Sequence, residues 1–302
     1  ITLMHSLLSV YSFRVYILLL LILLYSYFLS APSTPNQIPF LLTHILGLFL
    51  IHVLFLICIQ AHPDTEVHTI SLYNGLKSLM PLWVQVQNFR KAIEEIMNQS
   101  PEGVHLLCFS QGGVICRAVL STSPNHNVHT FIALSSPLAG HSSRLHTNIN
   151  YLKDNKYNFT WSATMEWGQK FQFIMVSLCA DPHHRADYLR GNTFLPLING
   201  EKPHKLMKDW RENFLRIKKM VLIGGPDDGV ITPWQSSHYG FYDASEDVVE
   251  MRNQEFYKRD TFGLRTLDAR GDVSMCVQSG VEHTKWHSNI TVFNNCIKKW
   301  LI

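Results

Sequence analysis

Charge is what this chain lacks over a long stretch. From Val15 to Pro63 there is not one Asp, Glu, Lys or Arg, although the whole 302-residue sequence is 16% charged and 46% hydrophobic. Net charge is only +3, with no block of like charges and no Arg/Lys stripe, which argues against nucleic-acid binding. Six cysteines are present, but none forms a CxxC pair or a Cys/His cluster at zinc spacing, so no structural metal is expected. There is no internal repeat and hence no solenoid. The chain opens at Ile1 rather than Met and reads as a fragment, so the missing signal peptide carries no information.

Beyond the uncharged block the composition is that of a soluble domain. Val67–Leu72 alternates as a strand, and a helix is expected from about Pro81, with Leu82, Val86, Phe89, Ile93 and Ile96 on one face. Val104–Phe109 is an apolar run followed by a helix over Val114–Leu120, and Val128–Leu134, Met220–Ile223 and Val273–Val277 read as further strands. Strands alternating with helices predict an α/β fold with a mostly parallel sheet covered on both faces. Ser142 to Asn213, rich in Trp, His, Asn and Lys, breaks the alternation and reads as a lid-like insertion, about 142–213.

The strongest chemical signal is Cys108-Phe109-Ser110-Gln111-Gly112-Gly113, between a strand and a helix. A nucleophile elbow holds its serine in a strained turn, so the residues two before and two after must be small. Cys108 and Gly112 meet that demand, though Gly is commoner at the first place. A bare Ser-x-Gly is an ordinary turn; the strand before and the helix after make it an elbow. The N–H of Gln111 then faces a developing oxyanion. A serine so placed needs a histidine base and an orienting acid, in the order Ser, Asp, His. Past the strand Met220–Ile223 come Gly224-Gly225-Pro226-Asp227-Asp228, and the pattern alone leaves Asp227 and Asp228 open. After the last strand Val273–Val277 comes His283, with His287 one helical turn on as the alternative.

Asp64 to Ile302 resembles the palmitoyl-protein thioesterases, in particular their lysosomal type 2 branch. The resemblance is carried by VHLLCFSQGGVICR (Val104–Arg117), LSSP (Leu134–Pro137), DPHH (Asp181–His184), LIGGPDDGVITPWQSS (Leu222–Ser237), GFYD (Gly240–Asp243), Phe262–Leu264 and HTKWHSN (His283–Asn289). It implies an α/β-hydrolase fold, a catalytic triad of Ser110, Asp228 and His283, hydrolysis of long-chain fatty-acyl thioesters, and no cofactor. It also implies disulfides Cys108–Cys116 and Cys276–Cys296, leaving Cys58 and Cys179 over, and a lysosomal lumenal location. Sequons at Asn158 and Asn289 fit the secretory pathway; one at Asn98 is weakened by Pro101. An oxyester lipase using the same triad is the alternative chemistry.

The resemblance breaks near the start. His5-Ser6-Leu7 stands where the family has a His-Gly pair after its first core strand, so Ile1–Met4 is expected to be that strand, in a segment 1–14, and Leu7 the second oxyanion donor. Ser6 in place of Gly restricts the loop. Residues 15–60 then form an anomalous apolar insert before the hydrolase domain of 61–302. By length Ile38–Gln60 could span a bilayer and Val15–Ser30 is marginal, but neither has flanking Lys/Arg or aromatic belts. A retained intron fits this composition: a pyrimidine-rich tract translates to Leu, Phe and Ile, Val15 begins with GT and Gln60 can be encoded CAG. The rival is a membrane hairpin, which brings membrane contact and a tethered, catalytically impaired binding protein into play. On the intron reading the insert lies outside the folded hydrolase.

Overall fold

The structure is a computed structural model. It describes residues 40–43, 54, 57–63, 65–142, 178 and 180–301, all within one compact unit that begins at Gln37. Six strands, β1 (Phe40–Thr43), β2 (Val67–Ile70), β3 (Val104–Phe109), β4 (Val128–Leu134), β5 (Lys219–Gly224) and β8 (Val273–Val277), form one sheet in the order β2-β1-β3-β4-β5-β8. Every neighbouring pair is parallel. A separate antiparallel pair joins β6 (Phe241–Tyr242) to β7 (Val248–Val249).

Side chains of the central strands alternate between two cores, as period-2 geometry requires. Leu106 and Cys108, Phe131 and Ala133, and Met220 and Leu222 enter one core. Leu107 and Phe109, Ile132 and Leu134, and Val221 and Ile223 enter the other. Both faces are therefore apolar, which is why these strands read as unbroken hydrophobic runs. The first core is closed by the helix Leu82–Gln99, which starts behind Pro81 and buries Leu82, Val86, Phe89, Ile93 and Met97, and by the elbow helix Gln111–Thr122. The second is closed by Leu54 and Cys58 and by the C-terminal run holding Val292, Phe293, Cys296 and Ile297. The doubly covered parallel sheet is the α/β-hydrolase arrangement expected from the sequence.

Two parts of the chain differ from that expectation. The place between β2 and β3 is held by Phe40–Thr43, inside the block expected to lie outside the fold, with Phe40 paired to both Val67 and His105. Ile1–Met4 lies outside the described residues. Helical residues 54 and 57–61 also belong to the domain, with Leu54 and Cys58 buried. Within the uncharged block, then, Phe40–Thr43 pairs with the sheet and Leu54 and Cys58 pack in its second core. Among the described residues no helix is long and apolar enough to cross a membrane.

The described part of the insertion packs down onto the sheet's helices. Its helices Arg185–Gly191, Leu195–Ile198 and Met207–Phe214 bury Tyr188, Leu195, Ile198 and Phe214 in the first core. Arg117, fully buried on the elbow helix, pins this segment: its guanidinium donates to Leu138 O (3.3 Å), Asn199 Oδ1 (2.7 Å) and Ile198 O (2.8 Å). The same group lies 3.9 Å from the Phe262 ring centre. A cation this deep is tolerated because Nη1 and Nη2 find acceptors and its face a π-surface, while its buried Nε–H has no partner.

Candidate active site

Four loops leave the C-terminal ends of adjacent strands and meet there, the side on which open parallel sheets bind ligands. Ladder bonds continue past the strands and set the register: Ser110 N–H to Leu134 O (2.9 Å), Ser135 N–H to Ile223 O (2.7 Å) and Gln278 N–H to Gly224 O (3.1 Å). Ser110, just after β3, sits at φ 54°, ψ −129°, a strained conformation for a residue with a side chain. The turn is tight enough that a Cβ on Gly113 would stand 2.1 Å from Ser136 Oγ. Gln111 opens the helix, so its N–H is among those without an intrahelical acceptor. Behind the turn, Cys108 and Cys116 are joined by a disulfide, and a second bond links Cys276 on β8 to Cys296. Both pairs are those the resemblance implies. Cys58 is a buried free thiol whose pKa burial pushes up to about 12; Cys179 and Asn158 lie outside the described residues.

Ser110 Oγ is 2.8 Å from His283 Nε2. On the other side of the ring, His283 Nδ1 is 2.8 Å from Asp228 Oδ2 and 3.0 Å from Oδ1. The main chain reinforces the pairing, with His283 N–H donating to Asp228 O at 2.8 Å. Asp227 turns elsewhere and accepts the N–H of Gly280 at 2.7 Å. His287 packs its ring on Phe109, 5.2 Å between centres, while the other histidine lies 5.0 Å from the same phenylalanine. Ser110, Gln111, Asp228 and His283 are therefore brought together. Leu7 lies outside the described residues, and the strand end paired with Cys108 is Thr43.

Asp228 is only 3% exposed and is ringed by donors. Oδ1 accepts N–H bonds from Ile231 (2.7 Å) and Val230 (3.1 Å). Oδ2 accepts from Trp286 Nε1 (2.6 Å) and from the hydroxyl of Ser135. Burial is the largest single influence on this carboxyl and opposes its charge. The donors on His283 and Ser135, the histidine's charge and the Ile231 N–H together outweigh burial and take the pKa down to about 2. His141 is also within electrostatic reach: burial lowers its pKa, His283 lowers it further and Asp228 opposes both. Its Nδ1 accepts the N–H of Thr232 at 3.2 Å. Ser135 and Trp286 lie in the LSSP and HTKWHSN stretches, but sequence gave them no role. Their contacts join loops about 90 and 60 residues apart.

The palmitoyl protein thioesterase family model matches residues 51–283. The chain belongs to that family of thioester-hydrolysing enzymes. It is similar to the lysosomal thioesterase PPT2 of Rattus norvegicus, 51% identical over 250 residues that cover 80% of each chain. The corresponding Homo sapiens protein is 50% identical over 250 residues, again covering 80% of each. The lysosomal thioesterase PPT2 homolog of Drosophila melanogaster is 37% identical over 243 residues, 80% of this chain and 83% of that one. Among solved structures, a monoacylglycerol lipase of Paleococcus ferrophilus is 15% identical, covers 88% of this chain and 95% of its own, and has a TM-score of 0.47.

Proposed function

We propose that this thioesterase cleaves long-chain fatty-acyl thioesters through an acyl-enzyme on Ser110. His283 Nε2 takes the hydroxyl proton as Oγ attacks the thioester carbonyl, and Asp228 holds the imidazole in the tautomer that accepts it. Collapse of the tetrahedral intermediate breaks the C–S bond, and the thiolate leaves with the proton carried by His283. A water then gives its proton to the same nitrogen and attacks the acyl-enzyme, and that proton passes to Ser110 Oγ as the Oγ–C bond breaks and the fatty acid leaves. Thiolates leave readily, so oxyanion stabilisation carries more of the load than leaving-group protonation, and the Gln111 N–H is one donor. Such a donor is worth roughly 10²–10³ in rate.

The observation that carries this reading is the unbroken chain of contacts Ser110 Oγ, His283 Nε2, His283 Nδ1, Asp228 Oδ2, each 2.8 Å, in a member of this family. A lysosomal lumenal location is supported by the names of the relatives and by two disulfides, which persist in oxidising compartments. Turnover of palmitoyl-CoA by the Ser110→Ala variant tests the reading, because alanine fits the elbow. A loss of at least about 10³-fold with an unchanged melting temperature is expected. Wild-type turnover by the folded variant would remove Ser110 from the mechanism.

A further inference from the structure

Asp228 Oδ2 receives three donors: His283 Nδ1, Trp286 Nε1 and the Ser135 hydroxyl. The proton positions follow from the chemistry. His283 must present a bare Nε2 to Ser110, so its proton is on Nδ1 and points at Asp228. Ser135 Oγ is 3.4 Å from that Nδ1, which has no lone pair left to offer, so its own proton goes to the carboxylate. Trp286 is a donor only. Both side chains are buried. Ser135 is fully buried at φ 44° with its N–H tied to Ile223 O, and Trp286 is 1% exposed. The indole's far edge lies where Gly225 leaves room, since a Cβ there would stand 3.2 Å from Trp286 Cη2 and 2.0 Å from Gln278 O.

We propose that Ser135 and Trp286 are positioning residues for catalysis, fixing Asp228 as a carboxylate aimed at His283 so that the base keeps its orientation toward Ser110. The proposal deepens the triad reading above and rests on it. Its physical content is a balance of donors. A carboxylate stripped of one hydrogen bond is a stronger proton acceptor, so Asp228 loses its charge at higher pH and ceases to hold the imidazole. The other charged groups facing Asp228 do not replace the lost donor. Asp227 is turned to Gly280, and His141 spends Nδ1 on Thr232. Neither backbone N–H on Oδ1 reaches Oδ2.

The test compares the full chain with its Ser135→Ala, Ser135→Thr and Trp286→Phe variants, following kcat and KM for palmitoyl-CoA across the acidic range. Ser135→Ala and Trp286→Phe should each lower kcat about ten-fold or more, leave KM alone and move the acid limb of the profile up by about one pH unit. Ser135→Thr, which keeps the hydroxyl, should restore the wild-type limb. A loss confined to KM, or a fall in kcat and melting temperature with an unmoved limb, would reduce both residues to packing and overturn the proposal. The low-field proton resonance of His283 Nδ1 gives a readout independent of turnover, expected to shift in Ser135→Ala and Trp286→Phe and not in Ser135→Thr. If Ser110→Ala retains full activity, the triad reading fails while the resonance still decides the positioning role.

Discussion

Asp227 accepts the N–H of Gly280 at 2.7 Å, on the turn that carries the chain from β8 to His283. Its neighbour Asp228 faces the histidine itself. On the proposed mechanism the two carboxylates have separable jobs, one shaping the loop and one orienting the base. Asp228→Asn should cut kcat by roughly 10³–10⁴-fold with little change in KM, since an amide favours the wrong imidazole tautomer. Asp227→Asn should cost less than about ten-fold, because an amide oxygen still accepts from Gly280. Steady-state kinetics of the two variants check this, and a reversed order would move the acid to Asp227.

Gly113 is set by contact rather than by backbone angle. A methyl group there would lie 2.1 Å from Ser136 Oγ and 2.5 Å from its Cβ, in the packed space between the elbow helix and the end of β4. Gly113→Ala should therefore destabilise the fold by about 1–3 kcal/mol and displace the elbow. Thermal melts and thioesterase assays of that variant should both show losses. A stable, fully active Gly113→Ala protein would mean the elbow is looser than described.

Two histidines away from the reaction make stability depend on pH. Burial holds His126 and His238 down to about 4, from an ordinary value of 6.5. Between those values the unfolded chain binds more protons than the folded one, so stability falls as pH drops through the window and levels off below it. Each histidine contributes up to about 3 kcal/mol to that fall. The melting temperature should decline between about pH 7 and about pH 4.5, and less steeply in His238→Gln. A flat profile would contradict the burial of neutral imidazoles.

β1 is paired on both edges, to β2 and to β3, so its backbone N–H groups are needed by the sheet. Leu42→Pro removes one of them in a central strand and should abolish soluble expression. Leu3→Pro, in the run that resembles the family's first strand, should be tolerated. Expression and circular dichroism of the two variants decide the matter. The opposite pattern would return Ile1–Met4 to the sheet.

The pattern of successes and failures in the sequence has a physical cause. The elbow was legible because its requirements are local: a strand, a strained serine, small neighbours and a helix within a few residues. Val104–Phe109, Val128–Leu134 and Val273–Val277 were read to the residue, since buried strands bounded by turns leave little freedom. The strand between β2 and β3 was not. Phe40–Thr43 lies inside the long apolar stretch Ile38–Gln60, and only its pairing with distant strands marks it out as a strand. Asp227 and Asp228 likewise needed the long-range contact to Gly280. Arg117 reads as one more helix residue until the segments it pins, Leu138 and Ile198–Asn199, are seen around it.

The central claim is that the acyl group passes through Ser110. Acid quenching of the protein during palmitoyl-CoA turnover, followed by peptide mapping, measures that directly. The account predicts a palmitoyl ester on the peptide carrying Cys108–Arg117, located at Ser110, absent from Ser110→Ala and accumulating when water attack is slowed. Palmitate found on another residue, or turnover with the label still present in Ser110→Ala, would contradict it.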